Sequence, residues 1–150
     1  MVYATRNMKK TVKIKSVWDY LKPQNLKTLK DCNDIYQDAK ALYDKGQYLK
    51  AKKYYLEFLK KNTADFDTLI EIGICYYELG NIEESLRRLL QAQKLRRGST
   101  LLKSYLFRVY ADKKDWKNAL DYFDLLKGRL DPAEIQKLRK QIPKTKRHKR

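Results

Sequence analysis

From residue 32 onward, apolar residues recur at spacings of three and four, the helical period, broken at regular intervals by turn signals. Three segments, 32–65, 66–99 and 100–133, align without a gap at a spacing of 34. The middle one is the clearest: Leu69, Ile72, Gly73 and Tyr76, then Gly80, then Ser85, Leu89 and Ala92. The same slots one period earlier hold Ile35, Asp38, Ala39, Leu42, Gly46, Ala51, Tyr55 and Phe58. One period later they hold Lys103, Leu106, Phe107, Tyr110, Lys114, Ala119, Phe123 and Leu126. Each unit predicts two amphipathic helices joined by a short turn, at Gly46-Gln47, at Gly80-Asn81 and, less cleanly, at Lys114-Asp115. Small residues, Ala39 and Gly73 on first helices and Ala51, Ser85 and Ala119 on second ones, mark where the helices of a pair approach. A lone pair cannot bury its apolar stripe, so neighbouring pairs must stack to make a core. Asp38 and Lys103 stand in slots that call for apolar residues, and Phe107 in one that calls for a small residue. These departures predict a weaker first unit and a splayed or shifted third one.

The unit length and slot pattern resemble the tetratricopeptide repeat over about two thirds of the chain. The resemblance implies an all-α, right-handed superhelical solenoid of antiparallel helix pairs, whose first helices line a concave groove for peptides or partner helices. Capping signals fit these bounds. Asn81 with Glu84 forms a capping box, and Glu83–Arg87 and Glu84–Arg88 are spaced for ion pairs along a helix. Asp131-Pro132-Ala133-Glu134 reads as a helix start for a closing helix over 134–142, whose narrow stripe is Ile135, Leu138 and Ile142. Pro143 ends it, and 143–150 reads as a disordered basic tail.

The first 31 residues differ in character. Thr11 to Lys15 alternates apolar and polar, as an extended segment does, and Ser16 to Leu21 reads as a short helix ending before Pro23. Residues 1–15 read as an arm, and 16–31 as a cap on the first repeat.

Charge divides along the same lines. The net charge is +17. Residues 1–31 carry eight Lys/Arg against Asp19 and Asp31, and residues 134–150 carry eight against Glu134 alone. The repeats between them are close to balanced. Basic ends on a near-neutral body predict contact with polyanions, RNA more than DNA, through Lys9, Lys10, Lys13 and Lys15 at one end and Lys137, Arg139, Lys140, Lys144, Lys146, Arg147, Lys149 and Arg150 at the other. The alternative is a solvated tail that aids solubility. Lys146 to Arg150 also has the composition of a nuclear-localisation signal.

Chemistry for catalysis is sparse. His148 sits between Arg147 and Lys149, and Cys32 and Cys75 lack the close Cys spacing of a zinc site. No glycine-rich phosphate loop follows a strand. These features predict no enzyme, no metal and no cofactor. No apolar run is long enough to span a membrane. Cysteine usage fits a reducing compartment, cytoplasmic or nuclear, with a mitochondrial presequence as a weaker option.

Mapped onto the groove that the resemblance implies, the first helix of each unit presents in turn Asn33, Tyr36, Gln37, Lys40 and Tyr43; then Asp67, Ile70, Glu71, Ile74, Tyr77 and Glu78; then Leu101, Ser104, Tyr105, Arg108 and Asp112. Family members that grip a chaperone's C-terminal carboxylate use Lys and Asn, then Asn, then Lys and Arg. Those slots here hold Tyr36 and Lys40, then Glu71, then Leu101 and Tyr105, so that clamp is missing. The remaining surface, Tyr36, Lys40, Tyr43, Ile70, Glu71, Ile74, Tyr77, Leu101, Tyr105 and Arg108, is tyrosine-rich and suits recognition of protein. Two functions fit: an adaptor or scaffold in a ribonucleoprotein assembly, holding a protein segment in the groove and nucleic acid at its ends, or a plain peptide-binding module or secretion-type chaperone whose charge is incidental.

Overall fold

The computed structural model describes residues 3–4, 13–14 and 23–147, with side chains from Asn33 to Arg147. Helices follow one another as α1 (Pro23–Asp44), α2 (Tyr48–Lys61), α3 (Phe66–Glu78), α4 (Ile82–Leu95), α5 (Thr100–Asp112), α6 (Trp116–Leu126) and α7 (Pro132–Gln141), then one 3-10 turn, Lys144–Lys146. Among the described residues the only strands are β1 (Tyr3–Ala4) and β2 (Lys13–Ile14), antiparallel with Tyr3 opposite Ile14. Lys13 therefore lies in extended backbone. The short helix expected over 16–21 lies outside the described residues, as do Lys9, Lys10, Lys15, Lys149 and Arg150.

Three antiparallel pairs, α1–α2, α3–α4 and α5–α6, stack in chain order, with α7 closing the far end. Two element bounds differ from the sequence reading. Helix α1 reaches back from residue 32 to Pro23, and α7 begins at Pro132. Proline is accepted at a helix start because its missing N–H would have no intrahelical acceptor there. Asp131 caps α7 by accepting from Glu134 N at 2.9 Å. Asp65, Asn81, Ser99 and Asp115 cap α3, α4, α5 and α6 in the same way. The expected i,i+4 ion pairs do not form. Glu84 pairs instead with Arg87, and Glu83 reaches Lys113 at the end of α5, which ties the second pair to the third.

In the middle pair the predicted small residues meet, with Ser85 Oγ donating to Gly73 O at 2.7 Å. Gly73 faces Leu89, and a Cβ added to it would lie 2.8 Å from Leu89 Cδ2. One period earlier the partners are Ala39 and Tyr55, both fully buried. One period later they are Phe107 and Phe123, with ring centroids 5.9 Å apart. The third pair is therefore not splayed. Phe107 is buried and anchors a second core, with Ala119, Leu126, Leu138 and Ile142, that joins the last pair to α7. Lys103 is 7% exposed. Its aliphatic stem fills the apolar slot, and burial followed by the charge of Arg129 lowers its pKa.

Of the tail expected to be disordered, residues 143–147 are described, and they form a turn against the end of α7. Arg147 turns back so that Nε donates to Ile142 O at 2.8 Å, and Nη2 lies 3.5 Å from Lys140 O. A guanidinium is suited to carbonyls that a helix C-terminus leaves open.

Each pair turns through the same two hydrogen bonds. Gly46 N donates to Tyr43 O and Gln47 N to Leu42 O; Gly80 N to Tyr77 O and Asn81 N to Tyr76 O; Lys114 N to Ala111 O and Asp115 N to Tyr110 O. This pattern requires a left-handed residue after the helix. Gly46 and Gly80 provide it at φ 71° and 78°, but Lys114 must adopt φ 58°. A β-carbon is unfavourable there by about 1 kcal/mol or more. Lys114→Gly is therefore expected to stabilise the chain by about 0.5–1 kcal/mol, after the added flexibility of the unfolded state is set against the relieved strain. A urea titration checks this: the midpoint should rise at unchanged slope.

Candidate functional site

The first helices α1, α3 and α5 share one face of the stack, and two clefts open along it. One, of about 490 Å³, is lined by Tyr36 of α1, by Phe66, Asp67, Ile70 and Glu71 of α3, by Leu101 of α5 and by the Arg96–Ser99 turn. The other, of about 620 Å³, lies between Tyr77 of α3, Ser104, Arg108 and Asp112 of α5, Trp116, and Glu134, Lys137 and Gln141 of α7. Tyr77, in the wall of the second cleft, meets the ring of Tyr105 edge to face at 5.7 Å, while Tyr105, Lys40 and Ile74 themselves line neither cleft. Leu101, 53% exposed, is the large apolar side chain left open on this face.

Several residues expected on the groove surface sit deeper. Ile70 and Ile74 are 3% and 2% exposed. Helix α3 packs against α2, α4 and α5, which covers both isoleucines, and of the two Ile70 alone lines a cleft. Tyr43 is half-buried against Tyr48 at 5.6 Å and Tyr55 at 6.4 Å and lines neither cleft. Conversely Phe66, Arg96, Trp116 and the α7 residues were missed. Arg96 places its guanidinium 4.2 Å from the Phe66 ring centroid. It belongs to a turn, which carries no periodic signal. Lys137, expected at a nucleic-acid surface, lines the far cleft, while Arg139, Lys140 and Lys144 are exposed on or just beyond α7. Lys146 is partly buried in the closing turn.

Glu71 occupies the middle of the face, at the inner end of the first cleft. Its Oε1 lies 4.0 Å from Lys40 Nζ, so the lysine in a clamp slot already faces a carboxylate. The Tyr36 and Tyr55 hydroxyls approach the Glu71 carboxylate and favour its charged form. No bond of ordinary geometry closes, however: Tyr55 Oη and Glu71 Oε2 are buried without a partner. Burial outweighs the tyrosines and Lys40, and the Glu71 pKa is raised. Burial first, then the same carboxylate, pushes the Tyr36 and Tyr55 hydroxyls well above the usual phenol range. Tyr43 is raised by burial and then by Tyr105. Tyr77 is pushed up to about 12 by burial and by the Asp112 carboxylate beside it. Burial pushes the Cys75 thiol up to about 12 as well. Among the described residues no group of three or more His, Cys, Asp or Glu could hold a metal ion, and no helix is long and apolar enough to cross a membrane.

Similar architectures recur among solved structures. An Arabidopsis OM64 tetratricopeptide-repeat domain superposes with TM-score 0.65 at 19% identity, covering 75% of this chain and 98% of that one. The chain has the tetratricopeptide-repeat fold. The Yersinia enterocolitica type III secretion chaperone SycD, in complex with a peptide of the translocator YopD, superposes at 0.62 with 14% identity over 75% of this chain and 86% of its own. The first such domain of Spaghetti (RPAP3), bound to the HSP90 peptide SRMEEVD, superposes at 0.64 with 13% identity over 74% and 92%. No protein-family model and no curated protein matches the chain in sequence. The described repeats thus form a right-handed superhelical solenoid.

The raised tyrosines and thiol set an alkaline limit on stability. Each loses its proton more readily in the unfolded chain, where cysteine titrates near 9.0 and tyrosine near 10.0. Their contribution is complete below those values and is lost as pH rises toward the folded ones. The urea midpoint is expected to decline above about pH 9 and more steeply above about pH 10, with phenolate absorbance appearing together with unfolding. Glu71 follows the same sign. Its raised pKa contributes stability below the usual carboxyl range and loses it as pH rises through the folded value. Glu71→Gln should therefore be more stable than the parent at pH 7, and the difference should shrink in acid.

Proposed function

We propose that the chain is a non-catalytic adaptor that holds a segment of another protein in its groove. The observation that carries this reading is the pair of clefts, one lined by α1, α3 and α5 with the exposed Leu101 at its edge, the other by α3, α5 and α7 with Tyr77 in its wall. Tyrosine offers rigid contact area with a polar tip and loses little conformational entropy on binding. The SycD and Spaghetti domains, which share the fold, hold peptides. The functional surface comprises Tyr36, Lys40, Ile70, Glu71, Tyr77, Leu101, Tyr105 and Arg108, with Tyr43 supporting it from beneath. Replacing Tyr36, Tyr77 and Tyr105 together by Ser is expected to weaken a protein partner by about 2 kcal/mol or more, some thirtyfold in Kd, while the helical signal in circular dichroism persists. Unchanged affinity would place the partner elsewhere.

A second activity is favoured by the exposed bases of the closing helix. Lys137, Lys140 and Lys144 recur on one side of α7 and its extension, away from the buried Leu138 and Ile142. In this reading they contact the phosphates of RNA in a larger assembly, assisted by Arg139, Lys146, Lys149, Arg150 and the N-terminal Lys9, Lys10, Lys13 and Lys15. If about five phosphates are contacted, affinity for single-stranded RNA should fall with a log–log salt slope on the order of −4. Binding should depend little on sequence, since flexible bases read charge rather than base edges. Replacing Lys137, Lys140 and Lys144 by Gln leaves the Arg147 contacts in place and should flatten that slope. An unaltered slope would remove α7 from the interaction.

A further inference from the structure

The central helix differs in charge from the rest of the chain, within clefts whose lining is mixed: Asp67, Glu71, Asp112 and Glu134 stand with Arg96, Arg108 and Lys137. The sequence carries +17, yet α3 contains Asp67, Glu71 and Glu78 and no lysine or arginine. Every other described helix has at least one base. Helix α3 lies between α1 and α5, and two of its carboxylates, Asp67 and Glu71, line the first cleft. Lys40 answers Glu71 only at 4.0 Å and from a side chain that is half exposed, a loose pair that costs little to displace. Glu71 Oε2 has no hydrogen-bond donor. The carboxylate torsion is broad, so a small rotation can turn either oxygen toward the cleft. Above it lies Tyr36, which with Phe66 forms the aromatic part of the wall. The chain already uses that wall for a cation: the Arg96 guanidinium rests on Phe66.

Resting on the reading of the groove as a protein-binding site, we propose that the cleft between Tyr36, Glu71 and Leu101 selects a Lys or Arg side chain of the bound segment, with an apolar neighbour on Leu101. The cation lies against Tyr36, donates to Glu71 and gains a second carboxylate from Asp67. An acidic segment such as SRMEEVD, held by the Spaghetti domain, would bring its charges against the same two carboxylates. The long-range repulsion between a basic ligand and a +17 chain does not cancel this preference. At physiological salt the field of the ends is screened over about 8 Å, whereas contact pairs inside a cleft are screened much less.

The test uses the full chain at about 0.15 M salt and three fluorescent, end-blocked peptides of about ten residues, alike in leucine and tyrosine spacing, whose polar positions carry Arg, Gln or Glu. Groove-dependent binding is taken as the part lost in the Tyr36→Ser, Tyr105→Ser double variant, which discounts attraction of the Glu peptide to the basic ends. The Arg peptide is expected to bind the groove about tenfold more tightly than the Glu peptide. Glu71→Gln and Asp67→Asn should each reduce that ratio severalfold; Asp67 is on the surface, so its variant keeps the comparison clear of folding effects. If the Gln or Glu peptide binds the groove as well as the Arg peptide, or if both substitutions leave the ratio unchanged, the charge selection is overturned and the groove still binds protein. If no peptide shows groove-dependent binding, both readings fall.

Discussion

The close approach of α3 to α4 is the constraint on which the rest of the molecule depends. Gly73 lies so near Leu89 that no side chain fits between them, and Ser85 Oγ donates to Gly73 O at 2.7 Å across the same contact. Leu89 is thereby driven against the α3 backbone and fully buried. Once this pair is closed, the other side of α3 is available to α5 and to the groove. The flanking pairs obey the same geometry with different volumes, Ala39 on Tyr55 and Phe107 on Phe123. The Tyr55 ring is large enough to cross its pair and bring its hydroxyl toward Glu71. The electrostatics of the groove are thus a consequence of how the core slot is filled, one period away.

This is why the fold was legible and the site only partly so. Helix pairs, turns and caps are local matters, governed by a 34-residue period, small residues at contacts, and Asn, Asp or Ser before helices. Each such signal lies within a few residues of what it specifies. Groove exposure is not local. Ile70 and Ile74 occupy first-helix positions that face the groove in an isolated unit, and they are buried because neighbouring pairs wrap the middle helix. Tyr43 is drawn down by Tyr48 and Tyr55. Arg96 and Trp116 join the clefts from a turn and a helix start, where no periodicity marks them. Arg147 is one base among many in a run until the end of α7 places carbonyls within its reach.

Phe107 illustrates the limit of a pattern read slot by slot. A large ring in a small slot predicts a distorted pair if its partner is held constant. The partner also changes, to Phe123, and the neighbouring layer adds Leu138 and Ile142. Packing conserves volume over a cluster, not at each position. The same compensation explains Lys103, whose stem supplies apolar volume while its charged end stays near the surface.

The energetics of Glu71 decide how the groove is to be understood. A carboxylate with an unpartnered buried oxygen weakens the fold compared with a neutral amide of the same shape. The Tyr36 and Tyr55 rings also have aromatic neighbours at 5.1 to 6.4 Å, so their positions do not depend on the carboxylate alone. Lys40, its nearest cation, is too loosely held to offset the cost. A charge retained at the expense of stability, in the wall of a cleft, beside aromatic rings that already carry one guanidinium, has the character of a binding group awaiting its counter-charge. The excess of positive charge at the ends and the concentration of negative charge at the centre then form one arrangement. At physiological salt an ion pair made inside the cleft is screened much less than the attraction or repulsion of distant charges, so the carboxylates lining the cleft weigh more on a side chain seated there than the net charge of the chain does.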